Sequence, residues 1–166
     1  MIDVRDTVGT MGHAVEHILG RFLAQRTLVA SRFTKKGPQH GDLAKIEIHR
    51  NPTGPWQYLQ PVAMLINEFT VGPADELVCY MRSTGRAVTV GSTTHGAFSG
   101  DGVYAMLPCK LIVRISDGYL CDAQGTRMDG CGNLPDVPVA PTVADVLSGA
   151  DPVLDQAVAA LKKRMK

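Results

Sequence analysis

His13-Ala14-Val15-Glu16-His17 is the first stretch whose residue types and spacing could do chemistry. An H-x-x-E-H spacing sets two imidazoles one helical turn apart, where they can share a zinc ion beside a carboxylate that activates its water, the arrangement of a zinc peptidase. No third ligand motif follows. On a helical wheel His13 and His17 lie nearly opposite a stripe of Met11, Val15, Ile18 and Phe22, so the segment reads as a solvated helix face, with no metal and no cofactor expected. His95 stands in a polar, Gly-rich loop beside Thr93, Thr94 and Ser99. A hydroxyl–imidazole pair can be drawn there, but an exposed loop histidine is the simpler reading. Cys79 shares a helix face with Glu76 and Ser83 and reads as a buried structural thiol rather than a reactive one. Trp56 is an edge-packing aromatic or a stacking platform for a ligand, and Asp136 is placed to fix a turn after Pro135.

These residues need elements to position them. Ile2 to Arg5 reads as a charged strand end leading into a helix, with Thr10 as its cap and Met11, Ala14, Val15, Ile18, Leu19, Phe22 and Leu23 on one face. Strands are expected at Thr27 to Phe33 and Leu43 to His49. Pro61-Val62-Ala63-Met64-Leu65-Ile66 is an unbroken apolar run, the pattern of a strand buried on both faces of a parallel sheet. Gly72 then caps a helix with Pro73 at its first position and Asp75 and Glu76 in its first turn, ending at Gly85. A strand from Arg86 to Val90 and a polar loop from Gly91 to Gly102 follow. Val103 to Leu107 and Lys110 to Ile115 read as strands, with Tyr119-Leu120-Cys121 returning as a hairpin arm after Ser116-Asp117-Gly118. Thr142 caps Val143 to Leu147, and Asp151-Pro152 opens a helix from Val153 to Met165. Strands alternating with helices indicate an α/β fold.

The chain has 166 residues, 45% of them apolar and 20% charged, with a formal net charge of +1, which suits one domain over 1–166 with a real core. The near balance of charge excludes a nucleic-acid partner recruited by bulk electrostatics. No apolar run is long enough to span a bilayer, and the first residues carry no basic-then-apolar export pattern. Cys121 and Cys131 are the cysteines best placed to pair, around a Gly-rich stretch; two buried free thiols are the other reading, and the preferred one.

Several segments, in order, resemble the catalytic domain of C-terminal processing peptidases, the tail-specific proteases. Asp3-Val4-Arg5-Asp6-Thr7-Val8-Gly9-Thr10 is similar to the family's D-x-R-x-N-x-G-G loop, and Pro61 to Asn67 to its strand before the nucleophile. Thr70-Val71-Gly72-Pro73-Ala74-Asp75 sits where the family carries T-A-S-A-A-E. Gly85 to Gly91 and Thr94-His95-Gly96 resemble the next strand and its G-x-x-T-x-G loop. Gly130-Cys131-Gly132-Asn133-Leu134-Pro135-Asp136-Val137 resembles G-x-G-I-x-P-D-V, and Gly149 to Leu154 resembles the G-x-D-x-x-L start of the closing helix.

The resemblance implies a crotonase-like or Clp-protease-like layered spiral, with a partly parallel sheet flanked by helices. It also implies that the catalytic centre is not intact. Its register sets Gly72 at the nucleophile position and Ala97 at the general-base position, and neither has the atom required. In the oxyanion loop Gly9 remains, but Pro73 has no N–H to donate and Thr7 and Thr10 replace Asn and Gly. The implied protein is an inactive peptidase-like module that binds an extended peptide or a protein C-terminus by strand addition. The alternative is an active serine peptidase in another register, with Thr70, Ser92 or Ser99 as nucleophile. In the family, strands, a PDZ module and an export signal precede the D-x-R loop, so an upstream domain or self-association is expected.

Overall fold

In the computed structural model, residues 1–8, 12–98 and 102–165 are described. Four strands form a parallel sheet in the order β1 (Ile2–Asp3), β4 (Val62–Ile66), β5 (Ala87–Gly91), β9 (Val137–Pro138). All five residues of β4 are buried, as its unbroken apolar run demands of a strand covered on both faces. Val62, Met64 and Ile66 face one core with Leu77, Val78 and Met81, while Ala63 and Leu65 face a second core with Val153 and Ala157.

The helices that build these cores are α1 (Gly12–Gly20) and α2 (Pro73–Ser83) on one side, and α4 (Pro152–Arg164) on the other. Beyond α1 and α2 lies an antiparallel sheet, β3 (Leu43–Arg50), β2 (Thr27–Lys35), β8 (Gly118–Asp122), contributing Val29, Ala30 and Leu120 to the first core. The result is the mixed α/β architecture expected, a partly parallel sheet flanked by helices. A short α3 (Val143–Ser148) carries a capping box between Thr142 and Asp145, and Asp151 accepts a 3.0 Å bond from Leu154 N–H to open α4. Among the described residues no helix is long and apolar enough to cross a membrane.

Several expectations need correction. The arm Tyr119 to Cys121 is not a hairpin partner of the strand before it: β8 pairs with β2, and β6 (Val103–Met106) pairs with β7 (Ile112–Ile115) as a separate ribbon. The apolar run of β8 gains a buried core place only beside β2, which outweighs local closure. Ile18 stays 43% exposed, because α1 turns Val15 and Leu19 into the core and leaves Ile18 at its margin. Thr10 and Met11 lie outside the described residues. Cys121 is buried but Cys131 is exposed, and both are free thiols.

Candidate functional site

The carboxyl end of β4 runs into a tight polar turn. Asn67 N–H donates to Thr70 Oγ1 at 3.2 Å, Thr70 N–H donates to Asn67 O at 3.0 Å, and Thr70 Oγ1 donates to Val4 O at 2.9 Å. Thr70 is buried, so its hydroxyl is a structural tie between β4 and the end of the first strand. Val71 N–H donates to Thr7 O at 3.0 Å, bringing the segment after Arg5 alongside the turn. Gly72 follows with φ 66° and ψ −130°, a conformation essentially reserved for glycine unless strain is stored. Pro73 then starts α2, and Glu76 N–H closes the first helical bond onto Gly72 O at 3.0 Å. Strand, tight turn and helix form an elbow with Gly72 at its apex.

A buried carboxylate holds the next loop against this elbow. Asp75, in the first turn of α2, accepts 2.8 Å bonds from Gly96 N–H and from Asn133 Nδ2. Asn133 N–H donates to Thr94 Oγ1 at 2.7 Å, and Thr94 N–H returns a bond to Asn133 O at 3.2 Å. His95 N–H donates to Thr70 O at 3.2 Å. Gly132 sits at φ 70°, and a Cβ there would overlap the Thr94 carbonyl oxygen, so both the backbone angle and the close approach call for glycine. Thr94, Gly96 and Asn133 thus converge on Asp75 from two loops. Burial pushes the Asp75 carboxyl above the usual carboxylate range, against the pull of its hydrogen-bond donors.

On the α4 side of the same sheet end, Arg5 forms a second clamp. Its guanidinium donates two bonds to Asp151, at 3.0 and 2.8 Å, and others to Asp3, the shortest at 2.7 Å. The paired carboxylates raise the Arg5 pKa further, and Arg5 holds the Asp3 and Asp151 carboxyls below their ordinary value. A cleft of about 340 Å³ lies beside it, lined among others by Arg5, Asn67, Glu68 and Ser92. Ser92 Oγ donates to Glu68 Oε2 at 2.6 Å, and that bond lowers the Glu68 pKa.

The structure brings Gly72, Pro73, Thr70 and the Thr94–Ala97 loop to one place through the Asp75 clamp, with Ala97 and His95 exposed. Gly9 and Ser99 lie outside the described residues. His13 and His17 are exposed on α1, and among the described residues no three His, Cys, Asp or Glu groups converge on a metal geometry. Cys79 is buried and its thiol is pushed far up by burial, so it is inert as a nucleophile. Trp56 is 62% exposed with the Arg21 guanidinium 5.1 Å from its ring centroid, so it is not packed into an edge. Asp136 does more than fix a turn: its Oδ2 accepts from Thr89 N–H at 2.9 Å and its Oδ1 from Arg82 at 3.2 Å, joining β5 to the end of α2.

Sequence reasoning missed Asp75, Asn133 and the Arg5–Asp151 pair. The signal for Asp75 was an acid at the third helical position with a threonine loop and an Asn-Leu-Pro turn to receive it.

The model of peptidase family S41 matches residues 1–139. The chain is 30% identical over 100 residues to tricorn protease homolog 1 of Streptomyces coelicolor, across 60% of this chain and 9% of that protein. Among solved structures, a candidate peptidase from Parabacteroides merdae superposes with a TM-score of 0.86 at 29% identity, over 96% of this chain and 50% of its own. The photosystem II D1 C-terminal processing protease matches with a TM-score of 0.65 at 18% identity, over 85% of this chain and 34% of that one, which speaks for the fold alone. The chain therefore spans half or less of the length of these proteins.

Proposed function

The chain belongs to peptidase family S41, and from that premise we propose that residues 1–166 act as one unit, a peptidase-like module that binds extended peptide or a protein C-terminus without cleaving it. The observation that carries this reading is the elbow, where Gly72 offers no nucleophilic atom and Pro73 no N–H for an oxyanion. In the family register the base position is Ala97, whose methyl group cannot take a proton.

A second reading is favoured by one contact, the 2.6 Å bond from Ser92 Oγ to Glu68. It would make Ser92 the nucleophile of an active peptidase. The lowered pKa of Glu68 argues against this, because a carboxylate stabilised as the anion is a weak general base. Thr70 is a poorer candidate still, with its hydroxyl buried and committed to Val4 O.

Exposure of the chain to a fluorophosphonate probe, followed by mass-spectrometric mapping, separates these readings. No adduct is expected, and none after Gly72→Ser alone, since groups that act as a unit are strongly non-additive. A stoichiometric adduct on Ser92, Thr70 or Ser99 of the unaltered chain would refute the non-catalytic reading.

A further inference from the structure

All eight residues of β6 and β7 are exposed, and the ribbon is apolar on both faces. The register puts Val103, Ala105, Val113 and Ile115 on one face and Tyr104, Met106 and Ile112 on the other with Arg114. Strands apolar on both faces belong inside a covered sheet, and two strands alone are marginally stable in water. Among the described residues β6 has β7 along one edge and no strand along the other.

The phase of the hydrogen bonds settles what that open edge presents. Leu107 N–H donates to Leu111 O at 2.8 Å, and bonded and non-bonded positions alternate along an antiparallel pair. Tyr104 and Met106 therefore turn their N–H and C=O groups outward. Exposed edges are normally blunted by lysine, proline, charge or a bulge. Val103-Tyr104-Ala105-Met106 has none of these, whereas β7 carries Arg114.

We propose that β6 is a self-pairing strand, which joins β6 of a second copy antiparallel across a two-fold axis at Ala105 and makes a four-stranded sheet. With the axis there, the outward groups of Tyr104 exchange bonds with those of Met106 in the other copy, twice by symmetry. Ala105 meets itself at a non-bonded position, where the Cα atoms approach to about 4.5 Å and a small side chain fits best. Tyr104 lies opposite a Met106 sulfur, a favourable sulfur–aromatic pairing, and Val103 lies opposite Leu107. No charge faces a like charge.

A second copy is the occupant because a two-fold interface needs one patch that matches itself, and this four-residue edge does. Edge pairing covers chiefly β6 itself, whose Val103, Tyr104 and Met106 are 57%, 66% and 75% exposed, and leaves the faces of β7 open, so a dimer weaker than one burying ~800 Å² per partner is expected.

The test is sedimentation velocity of the chain from micromolar to millimolar concentration, with three variants. Met106→Pro removes an outward N–H without touching the bonds to β7, and Tyr104→Lys supplies the missing edge charge; each is expected to weaken the dimer at least tenfold. Ile112→Lys lowers the ribbon's apolarity off the paired strand and should leave the dimer intact. A wild-type monomer throughout, undiminished dimerisation of both β6 variants, or equal loss in Ile112→Lys would overturn the proposal. Amide exchange of the wild-type chain keeps it testable if a variant misfolds. Tyr104 and Met106 should gain protection as concentration rises while Val103 and Ala105, already bonded to β7, do not; uniform protection, or none, would also overturn it.

Discussion

Replacing Asp75 by alanine should destabilise this chain more than any other change to a polar residue at the elbow. The carboxylate accepts bonds from Gly96 N–H and Asn133 Nδ2, both buried, and its loss orphans the Gly96 N–H and one Nδ2–H of Asn133, whose other Nδ2–H stays on the Asp75 backbone oxygen at 3.0 Å. Each orphaned donor costs about 1–3 kcal/mol, and relief of the carboxylate's own desolvation offsets part of that. A net loss of about 2–4 kcal/mol follows, or roughly 5–15 °C in the melting midpoint of a domain this size. Asp75→Asn keeps one acceptor oxygen and should cost less, about 1–2 kcal/mol. The pH dependence has a definite sign. Burial raises the folded-state pKa of Asp75, so between the ordinary carboxylate value and the raised one the folded chain holds a proton that the unfolded chain has released. Stability from this group therefore falls as pH rises through that window, and the gap between wild type and Asp75→Asn should narrow as pH rises above the ordinary carboxylate value. Thermal and urea denaturation followed by far-UV circular dichroism read both effects. A midpoint for Asp75→Ala within about 1 °C of wild type, or a gap that widens with pH, would refute the clamp.

Arg5→Met should cost about 1.5–3 kcal/mol by breaking the bidentate bond to Asp151. Because Arg5 depresses the Asp3 and Asp151 carboxyls, that stability is present above the ordinary carboxylate pKa and lost as pH falls through the lowered ones, so the variant's acid limb should be flatter in denaturant titrations. Gly132→Ala, at φ 70° with the Thr94 carbonyl in the way of a Cβ, should lose at least about 2 kcal/mol by calorimetry. Replacing His13 and His17 together by alanine should change stability by no more than about 0.5 kcal/mol, since both lie on the exposed face of α1; stoichiometric zinc in metal-untreated protein would contradict that assignment.

The elements with local causes were legible in the sequence. β4 declared itself by five consecutive apolar residues, and the start of α2 by Gly72-Pro73 with acids behind it, because burial on both faces and the missing proline N–H act within a few positions. The clamps were not. Asp75 meets Asn133 across 58 positions and Arg5 meets Asp151 across 146, and nothing local distinguishes a first-turn acid serving the helix dipole from one buried under two loops. The pairing of β8 had the same difficulty: its nearest strand in sequence offered a hairpin, while β2 offered a buried place that only the tertiary fold creates. Cys131 escaped for a simpler reason, since it lies on a turn whose inward groups are the Asn133 amide and the Gly132 backbone rather than the thiol.

The two clamps and the elbow stand in different relations to chemistry. Asp75, Asn133, Thr94, Arg5 and Asp151 satisfy buried or half-buried polar groups, and the fold needs them whatever occupies position 72. Their presence therefore argues for the scaffold and says nothing about turnover. Gly72 is the opposite case. At φ 66° and ψ −130° any residue with a Cβ would store about 1–3 kcal/mol, a strain that a working nucleophile elbow must carry and that glycine removes. On the non-catalytic reading the elbow has kept its path and shed its strain, as expected where stability is no longer traded against a reactive geometry. Gly72→Ser should then lower stability by that amount while gaining no reactivity, because neither Pro73 nor Ala97 supplies what a serine there would need.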